Sequence, residues 1–305
     1  MKVIELKQYG GPEQLAEVDV PKPEAKPGQV VVRVFAASYN PLDSKTASGQ
    51  MRQMFPLTFP FRPGSDFSGT VASLGAGVEG FSVGDEVYGM AGGTYAEFVA
   101  VDAGKIARKP RTLSHVDVAS LAGVGQTATQ ALEQAHLKAG QTVLIQGASG
   151  AVGGVAVQIA HHMGARVIAS ADAESHARLL EYGADEVIDY KATPFESVAK
   201  DVDVVLDGVG GDVQQRSFAV LRPGGMLVAL SQPPSEEEAA QHKVAAVMLL
   251  TETSAASLQA LAAKIDAGEV RPFVGRTYPL SEVAQAWTDV SSQHIEGKIV
   301  FIVAE

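Results

Sequence analysis

Apolar and polar positions divide the chain into two textures. Up to about residue 118, short apolar runs rich in β-branched and aromatic residues recur at Val3–Leu6, Val30–Phe35, Gly69–Leu74, Glu86–Gly89 and Tyr95–Val101. Gly and Pro punctuate them at Pro21-Lys22-Pro23, Pro27-Gly28, Pro63-Gly64 and Gly75–Gly80. Many short strands broken in this way predict a compact barrel-like β fold. From about Leu121 the pattern changes. Thr127–Leu137 has helical spacing and ends at Gly140, and strand and helix patterns then alternate. The strands fall at Thr142–Gln146, Arg166–Ser170, Glu186–Ile188, Val202–Leu206 and Met226–Leu230, with helical pieces between them and a last β-like run at Val244–Leu250. Six strands with intervening helices predict a doubly wound parallel sheet. Two further helices, Ser257–Ile265 and Ser281–Asp289, precede a terminal strand at Lys298–Val303. That tail matches the N-terminal part in texture, so the sheet domain is expected to be inserted into the other domain. The division expected is 1–118 plus 266–305 for the β-rich domain and 119–265 for the dinucleotide-type domain.

The stretch from Thr142 to Asp172 carries the most chemistry. Thr142–Gln146 is followed at once by Gly147-Ala148-Ser149-Gly150-Ala151-Val152-Gly153-Gly154, then by apolar residues at helical spacing (Val155, Ala156, Ile159, Ala160, Met163) up to Gly164. Strand, glycine turn, helix and strand form a unit suited to a dinucleotide. Gly147 permits the tight turn, Gly150 lets backbone approach a pyrophosphate, and Gly153 lets helix and sheet pack closely. The helix N-terminus offers N–H groups and the positive end of its dipole. A structural glycine turn is the plainer alternative. The nucleophile elbow Gly-x-Ser-x-Gly fails on its last position, where Ala151 stands, so a hydrolase is a poor match.

Bulk properties narrow the classes. The 305 residues suffice for about two domains, each with its own core. A net charge of −11 with no basic run disfavours nucleic-acid binding. The absence of cysteine removes disulfides and thiolate zinc sites. His161 and His162 are adjacent on a predicted helix and point about 100° apart, so they read as surface or packing residues. The N-terminus has no apolar leader-like segment and reads as a first strand, and Val244–Leu250 is too short to span a bilayer. A cytoplasmic protein without membrane partners is expected.

Several segments then carry a family resemblance. They are Ala36-Ala37-Ser38-Tyr39-Asn40-Pro41-Leu42-Asp43, Pro63-Gly64-Ser65-Asp66-Phe67-Ser68-Gly69, Val83-Gly84-Asp85-Glu86-Val87-Tyr88-Gly89 and Gly125-Gln126-Thr127-Ala128. Further along come Gly147–Gly153, Gly183-Ala184-Asp185-Glu186-Val187-Ile188-Asp189-Tyr190, Arg222-Pro223-Gly224-Gly225 and Gly297-Lys298-Ile299-Val300. Over nearly its whole length the chain resembles the medium-chain dehydrogenases/reductases, in their zinc-free quinone oxidoreductase and enone reductase branch. The resemblance implies an α/β protein with a GroES-like β-barrel-type domain and an inserted Rossmann domain, the active site in the cleft between them, and a homodimer. The places that hold the catalytic metal in the zinc-dependent branch here carry Asn40, Ser65 and Gly123, none a good zinc ligand. No metal site is expected.

Without a metal, hydrogen-bond donors must stabilise the oxygen that gains charge, or the acceptor must already be activated. Quinones and α,β-unsaturated carbonyls meet that condition. The expected reaction is therefore NADPH-dependent reduction of a small apolar quinone or enone. A zinc-free alcohol or aldehyde dehydrogenase relaying protons through Lys45 or Tyr39, and a non-catalytic nucleotide-binding sensor, stay open as alternatives. Candidate catalytic residues are Asn40 (otherwise a turn residue before Pro41), Lys45 (otherwise a solvated lysine) and Gln126; Asp66 could orient neighbours or cap a loop. Candidate cofactor residues are Thr127 (otherwise a helix N-cap), Ser149, Gly150, Ala151 and Val152 for the pyrophosphate, and Ser170, Arg178 and Tyr190 around the adenosine ribose. Val209 and Ser231 complete the strand ends, and Lys298 is set towards the cofactor phosphates, with a plain surface lysine as its alternative. The second strand ends in Ser170-Ala171, which leaves room for a 2′-phosphate and, with His176, Arg178 and Lys191 nearby in sequence, favours NADPH; Asp172 one residue on would repel it, unless it points to solvent or caps the helix after it, and keeps NADH open. The expected substrate wall is Met51–Phe61 with Val247–Thr251, which could equally be a core strip or a dimer contact.

Overall fold

The computed structural model describes residues 1–293 and 295–304. In chain order the elements are β1 (Lys2–Glu5), β2 (Ala16–Asp19), β3 (Gln29–Ser38), α1 (Pro41–Ala47), β4 (Asp66–Leu74), β5 (Glu86–Met90), β6 (Phe98–Asp102) and β7 (Ile106–Arg108). Then follow α2 (His115–Ala119), α3 (Ala122–Gln134), β8 (Thr142–Gln146), α4 (Ala151–His162), β9 (Arg166–Ala171), α5 (His176–Glu181), β10 (Glu186–Asp189) and β11 (Val202–Asp207). The last are α6 (Gly211–Ser217), β12 (Leu221–Ala229), α7 (Glu236–His242), β13 (Ala245–Met248), α8 (Ala255–Asp266), β14 (Val274–Pro279), α9 (Val283–Ser292) and β15 (Lys298–Ile302). Contacts group them into two compact units: 1–123 with 253–266 and 272–305, and 124–252 with 267–271.

The first unit is built on a sheet of order β14-β15-β3-β4-β5-β7, with β6 paired to β3. Only β14 and β15 run parallel; the other pairs are antiparallel. Strand β3 is long and buried on both faces over much of its length, which its Val- and Ala-rich sequence permits. The core gathers Val32, Val34, Phe67, Tyr95, Trp287 and Phe301.

The second unit is a six-stranded, all-parallel sheet of order β10-β9-β8-β11-β12-β13. Strand order reverses at β8, so the carboxyl ends of β8, β9 and β11 face the switch point where such sheets bind ligands. The interior residues of β8 are all buried, as a central parallel strand requires. Helix α4 buries every residue from Gly153 to Ala160, because its small side chains let it lie close on the sheet.

Some elements differ from the sequence reading. Helix α3 begins at Ala122, so Thr127 lies inside it and is not an N-cap; Gly123 and Gly125 mask the start because glycine is a poor helix former. Strand β6 begins at Phe98, since Tyr95 belongs to the turn before it and is wholly buried. Strand β12 begins at Leu221, earlier than the apolar run, because it runs through Pro223-Gly224-Gly225. Helix α7 is absent from the apolar pattern, yet Ser235 caps it by accepting from Glu238 N–H at 3.2 Å.

Candidate functional site

In the second unit the glycine turn is shaped by contacts that exclude side chains. Gly147 has φ +73°, and a Cβ on Gly153 would lie 2.4 Å from the Gly147 carbonyl oxygen and 2.7 Å from Ala148 Cα. Both clashes are with backbone, so nothing flexible can yield. Gly150 is the N-cap of the 12-residue helix α4 and brings no side-chain cap, which leaves the first N–H groups, from Ala151 and Val152 onward, facing outward. This cradle fits a pyrophosphate.

Beside it is a cavity of about 590 Å³ lined by residues that include Ser149, Ser170, Tyr190, Lys191, Val209 and Arg216. Four of the candidate cofactor residues, Ser149, Ser170, Tyr190 and Val209, therefore share one wall system. Tyr190 and Val209 present large exposed apolar surfaces, 56% and 49% accessible. The loop carrying Val209 is folded by Asp207, whose Oδ1 accepts from Val209 N–H at 3.0 Å and Gly210 N–H at 2.9 Å, and whose Oδ2 accepts from Gln214 at 2.9 Å. Ser231 stands against the same loop: a Cβ on Gly210 would meet its Oγ at 2.6 Å.

The remaining cofactor candidates lie elsewhere in that unit. Arg178 does not line the cavity; its guanidinium donates to the Ser149 carbonyl at 3.3 Å and to Ser175 Oγ at 3.1 Å, bracing the glycine turn. Thr127 is hydrogen-bonded to Thr251 at 2.8 Å. Asp172 is buried and accepts from Ser175 N–H at 3.0 Å as an N-cap, so the capping alternative matches its geometry, and its carboxylate is not among the cavity walls. The cavity residues that sequence reasoning did not single out are Ala192, Thr193, Pro194, Phe195, Val213 and Arg216; Lys191, noted near the second strand's end, is on the wall. Lys191 follows Tyr190 at the carboxyl end of β10, a position the strand-end rule flags.

In the first unit a polar cluster forms around Asp66 from Asn40, Ser65 and Gly123, the places the sequence reading matched to the metal ligands of zinc-dependent relatives. Asn40 Nδ2 donates to Ser65 Oγ at 3.0 Å and to Asp66 Oδ2 at 2.9 Å. Ser38 Oγ also donates to Asp66 Oδ2, at 2.9 Å. Gly123 packs on the other oxygen: a Cβ there would lie 2.6 Å from Asp66 Oδ1, which is buried with no hydrogen-bond partner. Lys298 is not a surface lysine. It is buried, its ammonium donating to Asn40 Oδ1 and lying 3.5 Å from Asp66 Oδ2. Burial lowers its pKa, against the pull of Asp66 and Asp43.

Asp43 adjoins this cluster. It is buried on α1, where its carboxylate accepts from Asn40 N–H and from Tyr95 OH, each at 2.8 Å. Burial pushes its pKa up to about 6 despite those bonds. Lys45, two residues on, is exposed, whereas Gln126 is buried within α3 of the second unit. The expected substrate wall divides: Met54 and Phe55 are exposed, while Phe59 and Phe61 pack on the first unit's core. Ser68 is buried, its hydroxyl 3.0 Å from the Val87 carbonyl and 2.7 Å from His115 Nδ1.

Comparison with known proteins places this geometry. Residues 26–111 match the family described as alcohol dehydrogenase GroES-like domain, and residues 182–301 match the family described as zinc-binding dehydrogenase. The chloroplastic NADPH-dependent alkenal/one oxidoreductase of Arabidopsis thaliana is 30% identical over 319 residues, covering 98% of this chain and 79% of that one. The structure of the quinone oxidoreductase from Coxiella burnetii superposes with a TM-score of 0.92 at 35% identity, covering 100% of this chain and 99% of the other. The chain belongs to the medium-chain dehydrogenase/reductase family. It falls in the quinone oxidoreductase branch, with a GroES-like domain and a Rossmann sheet. A mycobacterial protein solved in complex with NADPH, at 30% identity, gives a TM-score of 0.90, covering 99% of this chain and 100% of that one.

The zinc in one of those family descriptions does not suit this chain. An amide, a hydroxyl and a glycine stand where the sequence resemblance puts the three metal ligands, and a lysine ammonium sits against that amide and the adjacent Asp66. An amide and a hydroxyl are weak zinc ligands, and a cation there opposes a second one. Among the described residues no group of three or more His, Cys, Asp and Glu is arranged to hold a metal ion. No helix among them is long and apolar enough to cross a membrane.

Proposed function

We propose that the protein is an NADPH-dependent reductase of quinones or of the activated C=C bonds of enones and enals. The observation that carries this reading is the cluster of donors around Asn40 at the family's metal position. It is built from N–H and O–H groups backed by an ammonium, and it is no metal-ligand set. Donors of that kind suit an acceptor that delocalises its own charge, as quinones and enones do.

When bound, NADPH supplies the hydride. The chain's own residues hold the cofactor and the acceptor oxygen. Gly147, Gly150 and Gly153 let backbone reach the pyrophosphate, with Ser149, Ala151 and Val152 at the start of α4. Tyr190 and Val209 flank the adenosine, Ser231 and Thr127 border the nicotinamide end, and Arg178 keeps the turn in place. NADPH rather than NADH is supported by the cavity walls. In a chain of net charge −11 they include Lys191 and no acidic residue, while Arg216, also on the wall, is paired with Glu196 and Asp212, each at 2.9 Å. Ser170 adds a hydroxyl and Asp172 is spent on its cap. Lys298 acts through Asn40 and Asp66 rather than on a phosphate. Lys45 and Gln126 are the other candidate polar contacts to substrate.

We also propose a homodimer, as the family resemblance implies, which size-exclusion chromatography with light scattering would test, and a cytoplasmic location, which cell fractionation would test. The activity is tested by following NADPH absorbance with a small quinone, an enone and an aldehyde in turn. Oxidation with the first two supports the reading. Turnover of the aldehyde alone would support an alcohol or aldehyde dehydrogenase. Binding of NADPH without turnover would support a sensor.

A further inference from the structure

We propose that the Ser65 hydroxyl is the hydrogen-bond donor to the substrate oxygen that gains negative charge, polarised by Lys298 through the Asn40 amide. The proposal rests on the reductase reading and names the atom that makes the contact.

The direction of the chain of bonds is fixed by chemistry. An ammonium only donates, so the Asn40 oxygen must face Lys298 and its nitrogen must face the other way. The two Nδ2 hydrogens are then both committed, one to Ser65 Oγ at 3.0 Å and one to Asp66 Oδ2 at 2.9 Å. Asn40 therefore has no hydrogen left for a substrate. Ser65 accepts from Asn40, and its own hydrogen has no protein acceptor among the described hydrogen bonds. Its side chain is half-buried, whereas Asp66 and Lys298 beside it are closed off.

Backbone also holds Ser65 rigidly. Gly64 before it has φ +96°, and a Cβ there would strike Thr94 Oγ1 and the Tyr95 ring, each at 2.5 Å. The Ser65 carbonyl is pinned by Ala91 N–H at 2.9 Å. Bonds in series polarise one another, so an ammonium donating into the amide makes the amide a stronger donor to Ser65 and the hydroxyl a stronger donor beyond it. Ser65 is thus the group that touches substrate, and Asn40 and Lys298 are positioning residues. No proton transfer is required of Ser65; the oxygen takes its proton from solvent after the hydride step.

The test compares full-length wild type, Ser65→Ala, Ser65→Thr, Lys298→Met and the Ser65→Ala/Lys298→Met double variant with NADPH and either a small quinone or an enone. Loss of one preorganised donor to a developing oxyanion costs about 10²–10³ in kcat. Ser65→Ala is expected to lose about 100-fold in kcat with KM for NADPH unchanged, and Ser65→Thr, which keeps the hydroxyl, to recover to within about tenfold of wild type. The double variant should be no slower than Ser65→Ala, because Lys298 acts through that hydroxyl. An active wild type with Ser65→Ala within threefold of it overturns the proposal alone. So does a Ser65→Thr variant that binds NADPH normally yet is as slow as Ser65→Ala. A wild type inert with both acceptors removes the reductase reading and the proposal with it.

Discussion

Replacing Lys298 by Met removes the ammonium and keeps a stem of similar length. The Lys298 and Asp66 side chains are 6% and 0% exposed, with Nζ 3.5 Å from Oδ2. At an effective dielectric of ~20 that separation corresponds to about 5 kcal/mol of attraction before desolvation is counted. Breaking a buried pair by removing one partner costs about 3–5 kcal/mol. Asp66 Oδ2 keeps its bonds from Asn40 and Ser38, both 2.9 Å, so the lower end, about 3 kcal/mol, is expected. That is about two orders of magnitude in the folding equilibrium. The lone tryptophan, Trp287, is buried in the same unit, 6.0 Å from the Tyr39 ring and 6.5 Å from that of Tyr95. Its fluorescence during urea denaturation therefore reports on this unit. Lys298→Met should lower the midpoint accordingly, and Lys298→Met/Asp66→Asn should recover more than half the loss, because a neutral amide needs no counter-charge. A single variant within about 0.5 kcal/mol of wild type would refute the reasoning, since only surface pairs are worth so little. A double variant less stable than the single one would refute it equally.

Three further outcomes follow from the geometry. Burial raises the pKa of Asp43 to about 6, so the folded chain holds that proton more tightly than the unfolded chain does. The resulting stability is present below about pH 4 and is lost as pH rises through about 6. Asp43→Asn, which still accepts from Tyr95 and Asn40, should therefore be more stable than wild type by on the order of 2–3 kcal/mol at pH 7, with the gap closing below about pH 4; equal melts at both pH values would contradict this. Gly153→Ala forces a Cβ to 2.4 Å from a carbonyl oxygen, and calorimetry should show NADPH affinity reduced at least ~10-fold, beside a loss of about 1–3 kcal/mol in stability. Asp172→Ser keeps a capping oxygen for Ser175 N–H and should leave the NADPH-to-NADH ratio of kcat/KM within about twofold, whereas Asp172→Ala should cost about 1 kcal/mol in stability. A large change in cofactor ratio for Asp172→Ser would place that carboxylate on the ribose.

Legibility in the sequence followed how local each signal is. Strand β8 is an apolar run closed by Gly147, and its bounds can be read directly from Thr142–Gln146. The alternation of strands and helices made a parallel sheet legible, but not its order β10-β9-β8-β11-β12-β13, since right-handed crossovers allow more than one. Helix α3 was harder because two glycines dilute its first turn. Helix α7 carries a readable start, Ser235 three residues before Glu238, that apolar periodicity alone overlooks. The polar cluster was legible in its members but not in its wiring. Lys298 follows a glycine and looks like a turn lysine, and only the pairing of β15 with β3 brings it to Asn40, 258 residues away in sequence. The free hydrogen on Ser65 is likewise visible only once Lys298 has fixed which way the Asn40 amide faces. Tyr95 and Asp43 meet across 52 residues, and no spacing rule connects them.

The account stands most directly on one assay: NADPH oxidation by the purified protein with a small quinone and with an enone, before and after exhaustive chelation, alongside elemental analysis. It predicts turnover of both acceptors that chelation leaves unchanged, in protein containing less than about one metal per ten chains, as the donor chemistry at Asn40, Ser65 and Gly123 demands. Turnover that disappears with the chelator and returns with zinc, or none with either acceptor, would contradict it.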